Sequence, residues 1–286
     1  MDWLSSILFY GVAYAMVLYL VSVGLSVTMG LMHFPNLAHG VFAMAGGYCA
    51  SMLMSAVGFS FPLAVFSAVL VVMFASVVLE RLLYRRLYGA DPLDQILMTI
   101  GVIFMSIATA KYFCGTLPPK IPLPTAFAGT IDFGFQKFPA SRTFLILVGF
   151  SLAAILWLGF ERTRFGATIR AAVDNRPMAQ SVGVNTSATF TVTFAAGCGL
   201  AALGGALGAE ILAIDPHYPF EHLVKFLIVI GVGGLGTIRG PFIAALLLGT
   251  LDTGFKYFLP EVGSFVVYVL AIIILLLKPR GLVSAH

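Results

Sequence analysis

Charge is scarce in this chain. Of 286 residues only 10% are charged, 16 Lys or Arg against 12 Asp or Glu, while 60% are hydrophobic. Soluble domains carry about 25% charged and about 45–50% apolar residues. A chain of this length with so little polar surface is excluded from that class. Cysteine is scarce too: Cys49, Cys114 and Cys198 stand far apart, with no CxxC or Cys/His spacing, so they read as small packing residues and not as zinc or redox groups. No GxxxxGK[ST] phosphate loop occurs, so any ATP that drives this protein is bound elsewhere. No Ser/His/Asp or Cys/His set is assembled, which leaves membrane enzymology without support. The strict apolar/polar alternation of a membrane barrel is also missing.

Long uninterrupted apolar runs are present instead. Leu4 to Met29 and Phe61 to Leu79 contain no charge. About 20 apolar residues cross the hydrocarbon core as a helix, the form that satisfies its own backbone where there is no water. The reading is an all-α, polytopic integral membrane protein, one domain over residues 1–286. Spans are expected at Leu4–Met29, Leu37–Val57, Phe61–Leu79, Ile96–Phe113, Phe144–Phe160, Ala188–Ala213, Phe242–Phe258 and Val262–Leu277. Leu223–Val232 is apolar but short and glycine-broken, which makes eight or nine membrane-inserted helices. The first run lacks a basic start and a cleavage site, so it is expected to be a retained helix and not a signal peptide.

Lys and Arg placement gives an orientation. Arg81, Arg85 and Arg86 follow the third span, Arg162, Arg164, Arg170 and Arg176 the fifth, and Lys278 and Arg280 the last. The intervening loops are poorer: Gly115–Ser141 holds Lys120 and Lys137, and Asp215–His222 holds none. Counting the short stretch as a crossing puts all three basic groups inside, with the N-terminus periplasmic and the C-terminus cytoplasmic. The net charge of +4 is therefore a topology signal, and no nucleic acid is implied. The long outer loop, with Pro118, Pro119, Pro122 and Pro124, is expected to be irregular.

Several motifs have two readings. Residues 231–236, GVGGLG, match the GxGxxG dinucleotide pattern, but that fingerprint needs a soluble βαβ unit, and here the surroundings are apolar. Gly231, Gly233, Gly236 and Gly240 read better as a helix break with close packing, and Gly204 and Gly208 share the small-xxx-small spacing of membrane helix contacts. Asn36, His39 and Gly40 open the second span, near His33 and Pro35. They are a packed helix break, part of a translocation path, or a metal site, the last without carboxylate or thiolate companions, so no metal is expected. Asp252 and Lys256, four apart and acid first, suit a structural ion pair. A glycine- and proline-broken polar string precedes an apolar helix twice, at Gly30–Gly40 and Gly231–Pro241, as in transporters with broken helices.

The loop 161–187, ERTRFGATIRAAVDNRPMAQSVGVNTS, carries helix punctuation. Asn175 suits an N-cap, Pro177 the first turn and Gly183 a left-handed C-terminal cap, with Thr186 and Ser187 available to cap the next span. Arg176 to Val182 then forms two turns with Met178, Ala179 and Val182 on one small apolar face. So short a helix needs a surface to lean on. That surface is either the protein's own membrane end or a groove in another cytoplasmic protein.

The loop resembles the coupling loop of ABC-importer permeases, specifically the branched-chain amino acid permease family of LivH type. The matching residues are Thr163-Arg164-Phe165-Gly166, Ile169-Arg170-Ala171, Asn175, Met178-Ala179 and Gly183-Val184-Asn185. Gly30-Leu31, Asn36-Leu37-Ala38-His39-Gly40, Gly233-Gly234-Leu235-Gly236 with Gly240, and Lys278-Pro279-Arg280-Gly281-Leu282 are similar to further segments of that family, in the family's order. Arg176-Pro177 depart from it, standing where many such permeases have an acidic residue before the alanine of the coupling helix. The resemblance implies a permease subunit in the bacterial inner membrane, surrounded by lipid. It implies a second homologous permease chain, two cytoplasmic ATPase subunits and a periplasmic solute-binding protein as partners. No cofactor is implied for this chain, since ATP would sit on the ATPases. The implied cargo is branched-chain or other hydrophobic amino acids, with urea, short amides or aromatic acids as the alternatives among relatives. Outside that class stand a self-contained secondary transporter or channel, and a membrane scaffold without transport.

Overall fold

A computed structural model describes the chain except residues 1, 33, 117, 119, 120, 122, 123, 125, 126, 128, 135, 280 and 284–286. His33, Pro119, Lys120, Pro122 and Arg280, used above, lie outside the described residues. The helices are α1 (Asp2–Met32), α2 (His39–Ser55), α3 (Phe61–Leu82), α4 (Pro92–Cys114), α5 (Ala140–Arg162), α6 (Arg164–Asp174), α7 (Arg176–Ser181), α8 (Thr186–Gly208), α9 (Tyr218–Gly233), α10 (Arg239–Phe258) and α11 (Gly263–Leu277). A 3₁₀ turn, Tyr84–Leu87, follows α3.

Five of the described helices are long and apolar enough to cross a bilayer: those over Trp3–Gly30, Phe61–Leu87, Pro92–Cys114, Ala140–Arg162 and Thr186–Gly208. They are of two kinds. From Ala13 to Leu25 nearly every side chain of α1 is buried in protein, which explains why its apolar residues run all round and show no stripe. α5 is mostly open along its length, with Leu147, Phe150, Ile155 and Leu158 exposed, as suits a helix that faces lipid. The centre of the bundle is α1 against α8 and α10, with α8 also packed on α2 and α3.

Small residues make that centre possible. A Cβ on Gly204 would stand 2.9 Å from Val21 Cγ2, and one on Gly208 would stand 2.9 Å from Val17 Cγ2. Both glycines therefore seat α8 on α1. Without a hydrophobic force between helices in lipid, such van der Waals contact is the main adhesive.

Three features depart from expectation. The short apolar stretch extends backward to Tyr218, so α9 has 16 residues, about 24 Å of helix. An extra helix, α6, lies in the loop 161–187 where only one short helix was foreseen. The proline-rich loop 115–141, expected to be irregular in an otherwise all-α chain, contains a small antiparallel hairpin of β1 (Thr130–Asp132) and β2 (Lys137–Pro139), with Thr130 opposite Pro139. The hairpin is tied to the start of α1. Phe138 stacks on Phe9 at 4.1 Å between centroids, and Gln136 Oε1 accepts a 2.9 Å hydrogen bond from Ser5 Oγ.

Candidate functional site

Two regions deserve a functional reading, the punctuated loop and the polar interior. In the loop, Thr163 caps α6 by accepting from the Gly166 N–H at 3.3 Å. The Arg170 guanidinium donates back to the Phe160 carbonyl, and a Cβ at Gly166 would collide with that same backbone. α6 is thereby folded tightly under the end of α5, with Ile169 and Ala172 buried. Arg164 starts this helix and sits two residues before the tight contact at Gly166.

α7 follows after one residue. Asn175 Oδ1 accepts from the Met178 N–H at 3.0 Å, and Pro177 stands in the first turn. The helix ends at Ser181, one residue earlier than expected. Gly183 takes φ +87° and donates to the Gln180 carbonyl, while the Val184 N–H bonds the Ala179 carbonyl, each at 3.0 Å. Only glycine adopts that left-handed backbone without strain. The cap of α8 is Asn185, whose Oδ1 accepts from the Ala188 N–H at 3.0 Å, and not Thr186 or Ser187, which already belong to the helix. The expected apolar face is split: Ala179 is buried, whereas Met178 and Val182 are 62% and 73% exposed. The side chain of Arg176 lies outside the described residues. Replacing Asn175 by alanine should cost about 1 kcal/mol of local stability. Amide exchange of Met178 to Ser181 should then quicken about fivefold while the rest of the chain is unchanged.

In the interior, α1 stops at Met32 and α2 begins at His39, with Asn36 buried between them. Asn36 Oδ1 accepts from Tyr84 Oη at 3.2 Å, and its Nδ2 has no partner among the described residues. His39 is fully buried, its ring centroid 6.1 Å from that of Phe42, and neither ring nitrogen has a hydrogen-bond partner among the described residues. Gly40 brings the start of α2 onto the start of α9: a Cβ there would stand 3.1 Å from Pro219 Cα. Beside that contact, Tyr218 and His222 are buried, their rings 4.6 Å apart, and Tyr218 Oη and His222 Nδ1 lack hydrogen-bond partners among the described residues. Two helix N-termini thus meet inside the protein amid unsatisfied polar atoms, which is costly unless something polar passes or binds there. Among the described residues no group of three or more His, Cys, Asp or Glu is placed to hold a metal ion.

The two glycine strings are in contact. Gly236, at φ +74°, lies against Gly30, its N–H donating to the Ser26 carbonyl at 3.1 Å, and Ser26 Oγ bonds the Thr237 carbonyl at 3.0 Å. Gly233 and Gly240 meet each other's backbone and close the turn between α9 and α10. Gly231, by contrast, is only lightly packed, with Leu275 methyls 4.0 Å from where its Cβ would be. Asp252 and Lys256 are joined at 2.5 Å, the acid buried and the base partly exposed.

Glu80 carries no functional signal in the sequence. It ends the run that begins at Phe61 and looks like a span boundary, yet it is 1% exposed. Its carboxylate accepts from Tyr88 Oη at 2.6 Å and from Thr191 Oγ1 at 3.0 Å, locking α3 to α8. Removing one donor to a buried carboxylate costs about 1.5–3 kcal/mol. Tyr88→Phe is therefore expected to lower the thermal midpoint of the purified protein by several degrees. Thr191→Val should do the same, and the double variant should lose less than the sum because both act on one acid.

Comparison with known proteins finds relatives over most of the chain. The chain is 28% identical to the high-affinity branched-chain amino acid transport system permease protein LivH of Salmonella typhimurium strain LT2, over 97% of this chain and 94% of that one. It is also 28% identical to the permease protein BraD of the corresponding system in Pseudomonas aeruginosa, over 93% and 91%. It is 27% identical to the probable branched-chain amino acid transport permease protein LivH of Methanocaldococcus jannaschii, over 95% and 90%. No solved structure matches the chain. The family model described as branched-chain amino acid transport system / permease component matches residues 7–275, and this multi-pass membrane protein belongs to that family.

Proposed function

We propose that this chain is a membrane-spanning permease subunit of an ABC importer for branched-chain or other hydrophobic amino acids in the bacterial inner membrane. It works beside a second homologous permease chain, two cytoplasmic ATPase subunits and a periplasmic solute-binding protein. It performs no catalysis and binds no cofactor; ATP is hydrolysed on the ATPases. α1–α5 and α8–α11 make nine membrane-inserted helices, N-terminus outside and C-terminus inside, so that α6 and α7 lie in the cytoplasm.

The single observation that carries this reading is α7 itself. It is capped at both ends, held under α5 through α6, and presents Met178 and Val182 uncovered. A helix too short to persist alone, fixed rigidly and tipped with bare apolar side chains, is a lever that fits a groove in a partner. Movement of that partner then reaches the polar seam around Asn36, His39 and Gly40, which is the proposed path. The sequence similarity to LivH and BraD supports the choice of cargo.

The test is reconstitution with candidate ATPases and a cysteine at position 178. A disulfide or short crosslink to an ATPase, with ATP hydrolysis stimulated by the binding protein, is the expected result. Uptake by the purified chain without any ATPase would overturn the reading in favour of a self-contained transporter.

A further inference from the structure

A cavity of about 220 Å³ opens between α1, α9, α10 and α11, apart from the α7 lever. Its wall combines apolar side chains such as Val229 and Leu248 with Tyr14, Glu221, Lys225 and Asp252. The volume is below the roughly 300–1,000 Å³ of pockets for drug-sized ligands, so the guest that fits is smaller.

The charges are not all arranged as closed pairs. Asp252 is bound to Lys256, whose ammonium also lies 5.7 Å from the centre of the Tyr14 ring. Lys225 is only partly exposed and feels Asp252, Glu221 and Lys256, yet among the described residues no carboxylate oxygen lies within 4.0 Å of it. Glu221 stands one turn before it on α9, exposed and likewise without an ion-pair partner. A lysine held among apolar helices without a direct partner is costly. A guest carboxylate would supply what it lacks. An ammonium on the same guest would sit between Glu221 and Asp252; with Lys256 on Asp252, two bases and two acids balance around the cavity, and a zwitterion leaves that balance unchanged.

We infer that this cavity binds a small zwitterion with an apolar body, its carboxylate on Lys225, its ammonium between Glu221 and Asp252, and its side chain on Val229 and Leu248. The inference rests on the importer reading for its choice of guest and deepens it, by naming where the cargo is held within this chain.

The experiment is saturation-transfer NMR on the full chain in lipid nanodiscs. The probes are L-leucine and L-phenylalanine, with 4-methylpentanoate lacking the ammonium and 3-methylbutylamine lacking the carboxylate. At least one amino acid should bind, and each single-charge analogue should bind at least about tenfold more weakly. Lys225→Gln should abolish amino-acid binding. The exposed Glu221→Gln, which leaves the packing untouched, should weaken it if Lys225→Gln does not fold. Silence from both amino acids, equal binding of 4-methylpentanoate, or undiminished binding by folded Lys225→Gln or Glu221→Gln would overturn the inference. None of these readouts involves an ATPase, so the coupling role of α7 stands or falls separately.

Discussion

Gly24→Val should eliminate folded protein, and Gly205→Val should do the same. A Cβ on Gly24 would stand 2.9 Å from Gly197 Cα and closer still to its carbonyl, while one on Gly205 would stand 2.9 Å from Ala43 Cα. In both cases the obstacle is backbone, with no flexible side-chain end to swing aside. Overpacking typically costs about 1–3 kcal/mol when side chains can adjust. Here α1 or α2 must move away from α8, and every contact along the interface weakens with it. α8 touches α1, α2 and α3 at once, so the loss spreads through the core. The measurement is the monodisperse peak on size-exclusion chromatography in detergent, with thermal unfolding of whatever elutes there. Gly101→Ala is the control: nothing lies within 4 Å of its Cβ position, and helix propensity should favour alanine by up to about 1 kcal/mol. A Gly24→Val protein with the parent's peak and midpoint would show that α1 and α8 are not packed as described.

How much of this could be read beforehand depends on the range of the interaction responsible. Apolar runs and helix punctuation are local, so the span expected at Phe61–Leu79, where the helix runs Phe61–Leu82, and the caps at Asn175 and Gly183 are legible in the residues themselves. The Asp252–Lys256 pair is equally local, four residues along one helix. Gly204 and Gly208 could be singled out as packing residues from their spacing, but their partners on α1 could not. Glu80 needed Thr191, 111 residues away, before its burial made sense. Lys225 and Glu221 passed without notice because their significance lies in the missing partner, which no spacing reveals. α6 is hard to read in the sequence for a different reason. Its residues Arg164, Thr168 and Arg170 are polar, and its buried side, Ile169 and Ala172, is small. The tie from Arg170 to the end of α5 fixes it there. The interior meeting of α2 and α9 is likewise a tertiary fact: Gly40 stands out in the sequence as part of a helix break, but nothing there names Pro219 as its neighbour.

Met178→Glu together with Val182→Glu should reduce ATP-driven uptake by about thirtyfold or more while leaving the permease folded. Both side chains are exposed, so their replacement should shift thermal stability by no more than about 0.5 kcal/mol. A hot-spot contact in a partner's groove is worth about 2 kcal/mol or more, which is the thirtyfold in affinity. Ala179→Glu must not be used for this purpose, because Ala179 is buried and a charge there would damage α7 itself. A competing explanation is that Met178 and Val182 dip into the lipid interface of their own membrane. Glutamate would disfavour that arrangement too, so the pair of substitutions alone does not separate the two. Met178→Trp does. Tryptophan is at home in the bilayer interface and should be neutral if lipid is the contact. In a groove shaped for methionine the larger ring should obstruct docking and lower binding-protein-stimulated ATP hydrolysis by about tenfold or more. Full activity of Met178→Trp would move α7 from the ATPase groove to the membrane surface and end its assignment as the lever.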